Sequence, residues 1–197
     1  MKIYFAGPLF TPYVRSFIAE CAGKLRAHGF EVFVPHENSF GLIKTERLQS
    51  LLAQGILPVE EVNASSAHDV AMRMLKEGRL KREQLGLMPI DAKTVFDVDY
   101  GGLCGADAVF AILDGTQVDD GTACELGIFM GLMCSDPSKK GIVGLMTDSR
   151  GTRKKDKGFG LNLFIQGILE VHGVVFDTFE DSLQQLIRWD AELKAGL

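Results

Sequence analysis

Between Asp99 and Gly127 the chain reads DYGGLCGADAVFAILDGTQVDDGTACELG, which places five carboxylates, Asp99, Asp114, Asp119, Asp120 and Glu125, around one expected strand end. Carboxylates crowded there are costly unless they are solvated or used, and mutual repulsion raises some of their pKa values. Two carboxyl groups in unlike environments can divide the roles of acid and nucleophile, as they do at about 5 Å separation in retaining glycosidases. Plainer readings compete. Thr122 and Glu125 have the spacing of a capping box, in which the glutamate only bonds a helix-terminal amide. Asp114, Asp119 and Asp120 could be ordinary turn formers beside glycines, and Asp99 a polar residue on an exposed helix face. All of them together, next to Gly121-Thr122 at one strand end, favour chemistry.

The elements that must carry these side chains alternate. Lys2–Ala6 is a short apolar run closed by Gly7-Pro8 and reads as a buried strand. Tyr13–His28 has helical spacing at Val14, Phe17, Ile18, Cys21 and Leu25, with Pro12 suited to the first turn and Gly29 to the stop. Phe30–Val34 is a second strand, completing a βαβ unit. From His36 to Asp91 the pattern changes to helical pieces at Lys44–Gln54 and Val59–Glu77, read as a helical insertion at about 45–90. Asp91 suits the N-cap of a helix towards Tyr100, which Gly101-Gly102 should end or bend. Then come strand Ala108–Leu113, helix Thr122–Met133, strand Gly141–Thr147 and a polar loop, Asp148–Gly160. Leu161–Val171 is ambiguous between helix and strand. Val174–Phe176 is a last strand, and Phe179–Leu193 a closing helix with Thr178 and Asp181 spaced as a capping box. The expectation is one α/β domain over 1–197: a doubly wound, flavodoxin-like parallel five-stranded sheet with a helical insertion. Ligands in such sheets bind outside the carboxyl ends of the strands, where Gly7-Pro8, Asn38, Asp114–Gly121 and the loop after Thr147 fall.

Composition narrows the partners. With 197 residues and 46% hydrophobic content, the chain can bury a core without staples. Its net charge of −5 argues against a nucleic-acid face, and the basic run Arg150–Lys157 reads as a solvated loop. Cys21, Cys104, Cys124 and Cys134 form no close-spaced pair, so neither a zinc site nor a disulfide framework is expected. Reduced thiols fit a cytoplasmic location. The first apolar run is too short for a signal peptide, and no stretch has the ~20 apolar residues of a membrane span. His36-Glu37 lacks a second histidine at zinc-binding spacing, and Asp97 and Asp99 point different ways on a helix. No metal and no cofactor are expected.

Four segments together resemble the nucleoside 2-deoxyribosyltransferase family. Ile3-Tyr4-Phe5-Ala6-Gly7-Pro8 is similar to its first strand and Gly-Pro loop; Asp119-Asp120-Gly121-Thr122-Ala123-Cys124-Glu125-Leu126-Gly127 resembles its nucleophile motif. Asp99, eight residues before Asp107, falls where the family carries the carboxylate that handles the base. Phe159-Gly160-Leu161-Asn162-Leu163 resembles a late motif whose asparagine helps to bind the sugar. The resemblance excludes the insertion. It implies that Glu125 attacks C1' of a 2'-deoxynucleoside, that Asp99 protonates the leaving base, and that a second base completes the exchange with retention.

In that scheme Tyr4 orients Glu125, and Asp119 accepts a hydrogen bond from the sugar 5'-hydroxyl. Asn162 shares that task from a neighbouring subunit of a homo-oligomer. Gly7 and Gly121 admit close backbone approach to ligand, Leu9 and Phe10 pack on the base, and Asn38 reaches the base edge. The partners are deoxynucleosides and free nucleobases. Three alternatives stand beside this one: an N-glycosidase of 2'-deoxynucleoside 5'-monophosphates, a non-catalytic nucleotide-sensing module, and simple hydrolysis with water as acceptor. Asp119 disfavours the first, because a carboxylate against a phosphate dianion costs roughly 1 kcal/mol or more.

Overall fold

Along β1, Lys2–Ala6, side chains alternate between two cores: Ile3 and Phe5 enter one, Tyr4 and Ala6 the other. A strand buried on both faces needs helices on both sides, and the computed structural model supplies them. It describes residues 1–39 (side chains to Glu37), 43–62, 66–87, 91–150 and 160–196. β2 (Glu31–Phe33), β3 (Ala108–Ile112), β4 (Gly141–Leu145) and β5 (Gly173–Phe176) join β1 in one sheet of order β2-β1-β3-β4-β5, and every pairing is parallel. This is the doubly wound, flavodoxin-like α/β order expected. Tyr4 pairs with Phe33 on one side and Val109 on the other.

One face carries α1 (Pro12–Ala27), through Ile18, Cys21, Ala22 and Leu25, together with a C-terminal helix packed through Leu183 and Leu186. The opposite face carries Leu103 from the end of α6 (Ala92–Gly105) and Ala106 just after it, Leu126 and Phe129 from α7 (Asp120–Ser135), and Ile165, Ile168 and Leu169 from α8 (Leu163–His172). The ambiguous run 161–171 is therefore helix. Its buried positions recur at three and four residues, and Asn162 caps it by accepting the Phe164 amide at 2.9 Å. The C-terminal helix, α9 (Phe179–Ala195), opens with the expected cap: Thr178 Oγ1 accepts the Asp181 amide and donates to the Asp181 carboxylate.

The described residues form two compact units, Met1–Pro35 with Asp99–Leu197, and His36–Val98. Within the second lie α3 (Thr45–Ala53), α4 (Val59–Val62), α5 (Ala67–Lys76) and a 3-10 turn at Glu83–Leu85, around a core of Leu51, Leu57, Val70, Met74 and Leu85. α2 (Pro35–Ser39) begins at the unit boundary. Where one helix over 59–77 is expected, α4 and α5 stand instead. Ser66 starts α5 afresh by accepting the Asp69 amide at 3.1 Å.

α6 departs from expectation more usefully. Asp91 accepts the Thr94 amide at 2.7 Å, as an N-cap residue does, but Gly101-Gly102 do not end the helix; it runs on to Gly105. Two glycines there sacrifice helix propensity. Beyond them, Lys139 Nζ donates to the carbonyls of Cys104 and Ala106 at 3.0 and 2.7 Å, a cation at a helix C-terminus.

Candidate active site

α7 starts at the carboxyl edge of β3, and its first turn decides what Glu125 does. Asp119 is the N-cap: its Oδ2 accepts the Thr122 amide at 3.1 Å and the Thr122 hydroxyl at 3.4 Å. Thr122 thus lies inside the helix, and the capping box suggested by Thr122 and Glu125 does not form. On α7 the buried positions are Thr122, Leu126 and Phe129, so Glu125, three after Thr122 and four before Phe129, borders the stripe that faces the sheet. There it meets β1. Tyr4, wholly buried, donates its hydroxyl to Glu125 Oε1 at 2.6 Å across 121 residues of sequence. Tyr4 lies in the middle of the strand rather than at its end. Its ring stacks on Phe33 of β2, with centroids 5.4 Å apart and planes 15° apart.

Burial, above all, raises the Glu125 carboxyl to a pKa of about 7; the Tyr4 hydroxyl opposes the rise, while the charges of Asp99 and Asp119 add to it. Burial also pushes the Tyr4 phenol far above its usual value, reinforced by Glu125, so Tyr4 is a fixed proton donor. Asp99 is half-buried on α6, one turn before the buried Leu103. The fields of Asp99, Asp119 and Glu125 therefore overlap: a half-buried carboxyl with a raised pKa in an acidic setting, with a phenol aimed at one oxygen. Such a group can act as a nucleophile once ionised.

The remaining carboxylates have other tasks. Asp114 ties β3 to β4, accepting the Thr147 amide and hydroxyl at 2.6 Å each and the Asp148 amide at 3.1 Å. Asp148, passed over in the sequence, completes the tie by accepting the Gly115 amide at 2.9 Å and pairing with Arg150. Asp120 accepts the amide of Gly121 at 2.8 Å.

A cavity of about 590 Å³ opens on the α1 side of the same strand ends, within the range of small-molecule sites. Phe10, Tyr13 and Phe17 give it an aromatic wall, and Asp114, Asp119 and Asp120 an acidic one. Asp119 is common to this cavity and to the field around Glu125, whereas Tyr4 and Glu125 do not line it.

Phe10 is 79% exposed at that cavity, but Leu9 packs on the α1-side core. A Cβ on Gly7 would come within 3.3 Å of Ile112 and Ile18, so the protein's own packing is tight there. At Gly121 a Cβ would approach Asp119 Oδ2 at 3.2 Å, crowding the cap. Asn162 is exposed and spends its carbonyl oxygen on the cap of α8. The expectation for Asn38 lies outside the described side chains, and 151–159 of the basic loop lie outside the described residues. Among the described residues, no group of three or more His, Cys, Asp or Glu is placed to hold a metal ion, and no helix is long and apolar enough to cross a membrane. Sequence reading missed Phe33, whose signal was its alternation with Val32, and Tyr13 and Phe17, which read only as helix-face residues.

Among solved structures, the chain is similar to a conserved protein from Enterococcus faecalis V583, with TM-score 0.58 and 22% identity over 100% of this chain and 99% of that one. It is also similar to a 2-deoxyribosyltransferase from Bacillus psychrosaccharolyticus, with TM-score 0.50 and 21% identity over 92% and 89%. At such identities the likeness speaks for the fold. No curated protein matches the sequence. The model of the family described as nucleoside 2-deoxyribosyltransferase matches residues 3–164, from β1 through the late asparagine motif. The chain belongs to the nucleoside 2-deoxyribosyltransferase family.

Proposed function

We propose that this protein exchanges the base of 2'-deoxynucleosides through a covalent deoxyribosyl ester on Glu125. The observation that carries the reading is the 2.6 Å bond from Tyr4 to Glu125 Oε1, made while Asp119 caps the helix in its stead. Ionised Glu125 attacks C1' with one oxygen as the C1'–N bond breaks and its electron pair leaves with the base. Asp99, protonated, gives that base its proton. A second base then displaces the carboxylate and returns a proton to Asp99, with net retention. The transition state is oxocarbenium-like, so the carboxylate beside C1' stabilises developing positive charge.

Unphosphorylated nucleosides fit better than 5'-monophosphates. Asp119 sits at the strand end, with Asp114 and Asp120 in the adjoining cavity wall, so a phosphate dianion would meet carboxylates among the described residues. Asn162 is proposed to reach a neighbouring subunit's sugar site, in a homo-oligomer built on the apolar surface of α8. Leu163, Phe164 and Val171 there are 73 to 82% exposed.

Mass spectrometry of the protein after incubation with a 2'-fluorinated deoxynucleoside tests the ester: a fluorinated deoxyribosyl adduct on the peptide containing Glu125 is expected. Absence of the adduct together with unimpaired exchange by Glu125→Ala would end this reading. Turnover of deoxyinosine against deoxyinosine 5'-monophosphate separates base exchange on nucleosides from hydrolysis of monophosphates.

A further inference from the structure

The geometry points to Gly102 as a positioning residue: its missing side chain lets α6 settle against the Phe33–Tyr4 stack and thereby sets the distance between Asp99 and Glu125. A Cβ built on Gly102 would stand 2.7 to 2.8 Å from three ring carbons of Phe33, closer than real side chains approach. The ring has little freedom to retreat, because it also stacks on Tyr4, which is wholly buried and bonded to Glu125. Helix, ring, phenol and carboxylate are thus in series. Asp99 is three residues before Gly102 and four before buried Leu103, on the side of α6 that faces the sheet. Any outward displacement of the helix at Gly102 carries Asp99 with it. The neighbouring glycines supply the contrast: a Cβ on Gly101 or Gly105 meets nothing within 4 Å.

The inference rests on the proposed roles of Asp99 and Glu125. A displacement of about 1 Å at a reacting group can cost about 100-fold in rate, so Gly102→Ala is expected to lower kcat for base exchange about 10- to 100-fold with little change in KM. Gly101→Ala, with the same change in helix propensity, is expected to keep the original rate and an equal or higher melting temperature. Phe33→Leu removes volume from the other side of the contact; Gly102→Ala with Phe33→Leu should be faster than either single variant. If the effect runs through Asp99, Gly102→Ala has no further cost in an Asp99→Asn background. Should Gly102→Ala fail to fold, Phe33→Leu carries the same comparison, slowing the Asp99 protein but not the Asp99→Asn protein. Equal losses in both backgrounds, or a Gly102→Ala rate equal to that of Gly101→Ala, would overturn the assignment. An Asp99→Asn protein as fast as the original would instead refute the proposed role of Asp99.

Discussion

Tyr4→Phe removes one hydroxyl and leaves the ring, its burial and its stack on Phe33. What is lost is a 2.6 Å bond to a carboxylate that burial already disfavours. Hydrogen bonds to charged groups contribute about 1.5–3 kcal/mol, and one pKa unit corresponds to about 1.4 kcal/mol. The hydroxyl lowers the Glu125 pKa, so removing it raises that pKa by roughly 1–2 units above its value of about 7. With the carboxylate as nucleophile, the ionised fraction at pH 7 falls from about one half to between one tenth and one hundredth. The rate of exchange at pH 7 should therefore drop about 5- to 50-fold, and less at higher pH, where Glu125 is ionised in both proteins. The assay is kcat/KM for base exchange from pH 5 to 10 on both proteins, with an acid limb displaced to higher pH in the variant. An acid limb that does not move, or moves to lower pH, would refute this account of how Tyr4 acts; so would an equal loss at every pH.

Asp119→Asn should move the acid limb the opposite way, to lower pH, because a charge that raises Glu125 is gone; asparagine still caps α7, so unfolding measurements should differ little. The same variant should narrow the preference for deoxyinosine over its 5'-monophosphate in paired turnover assays. Asp99→Asn should slow exchange about 100- to 10,000-fold for bases that must be protonated to leave, and much less for a base that leaves unprotonated, as read from single-turnover rates. Glu125→Gln should abolish exchange yet stabilise the fold at high pH. The folded-state pKa of about 7 stands above the unfolded value of 4.5, so the native state binds more protons between them and loses stability as pH rises through that window. The difference approaches about 3 kcal/mol at pH 8 and closes near pH 4, which urea unfolding at the two pH values checks.

The sheet was legible because its strands are short apolar runs punctuated by glycine and proline, and β1 alternates between two cores. Residues 161–171 were not, since exposed Leu163, Phe164 and Val171 blur the helical stripe of Ile165, Ile168 and Leu169. Gly101-Gly102 reads locally as a stop; only the ring of Phe33, brought alongside by a strand 69 positions earlier, explains a glycine inside a helix. The end of α7 carried two self-consistent caps in its sequence, one from Asp119 and one from Thr122. Spacing cannot choose between them, because each puts a side-chain oxygen three residues before an amide it can accept. The insertion was recognisable as helical, but the break between α4 and α5 depends on the cap at Ser66, which a continuous periodic reading hides.

That choice of cap is where fold and chemistry join. A helix that opens at a parallel strand's carboxyl edge must satisfy its first amides, and Asp119 takes that of Thr122 with one oxygen. Glu125, relieved of that task, is placed by helix geometry on the sheet-facing border, where an apolar residue would fit the surrounding core with less cost. Burying a carboxyl there, with Asp99 and Asp119 repelling it, lifts its pKa by more than two units and works against the native state at neutral pH. A single phenol only partly offsets that penalty. A structural role does not need so expensive an arrangement, since glutamine would accept the same hydrogen bond from Tyr4 without a charge. Nucleophilic attack does need it: the ion that the fold destabilises is the species that gains most from meeting a carbon centre as that centre becomes positive.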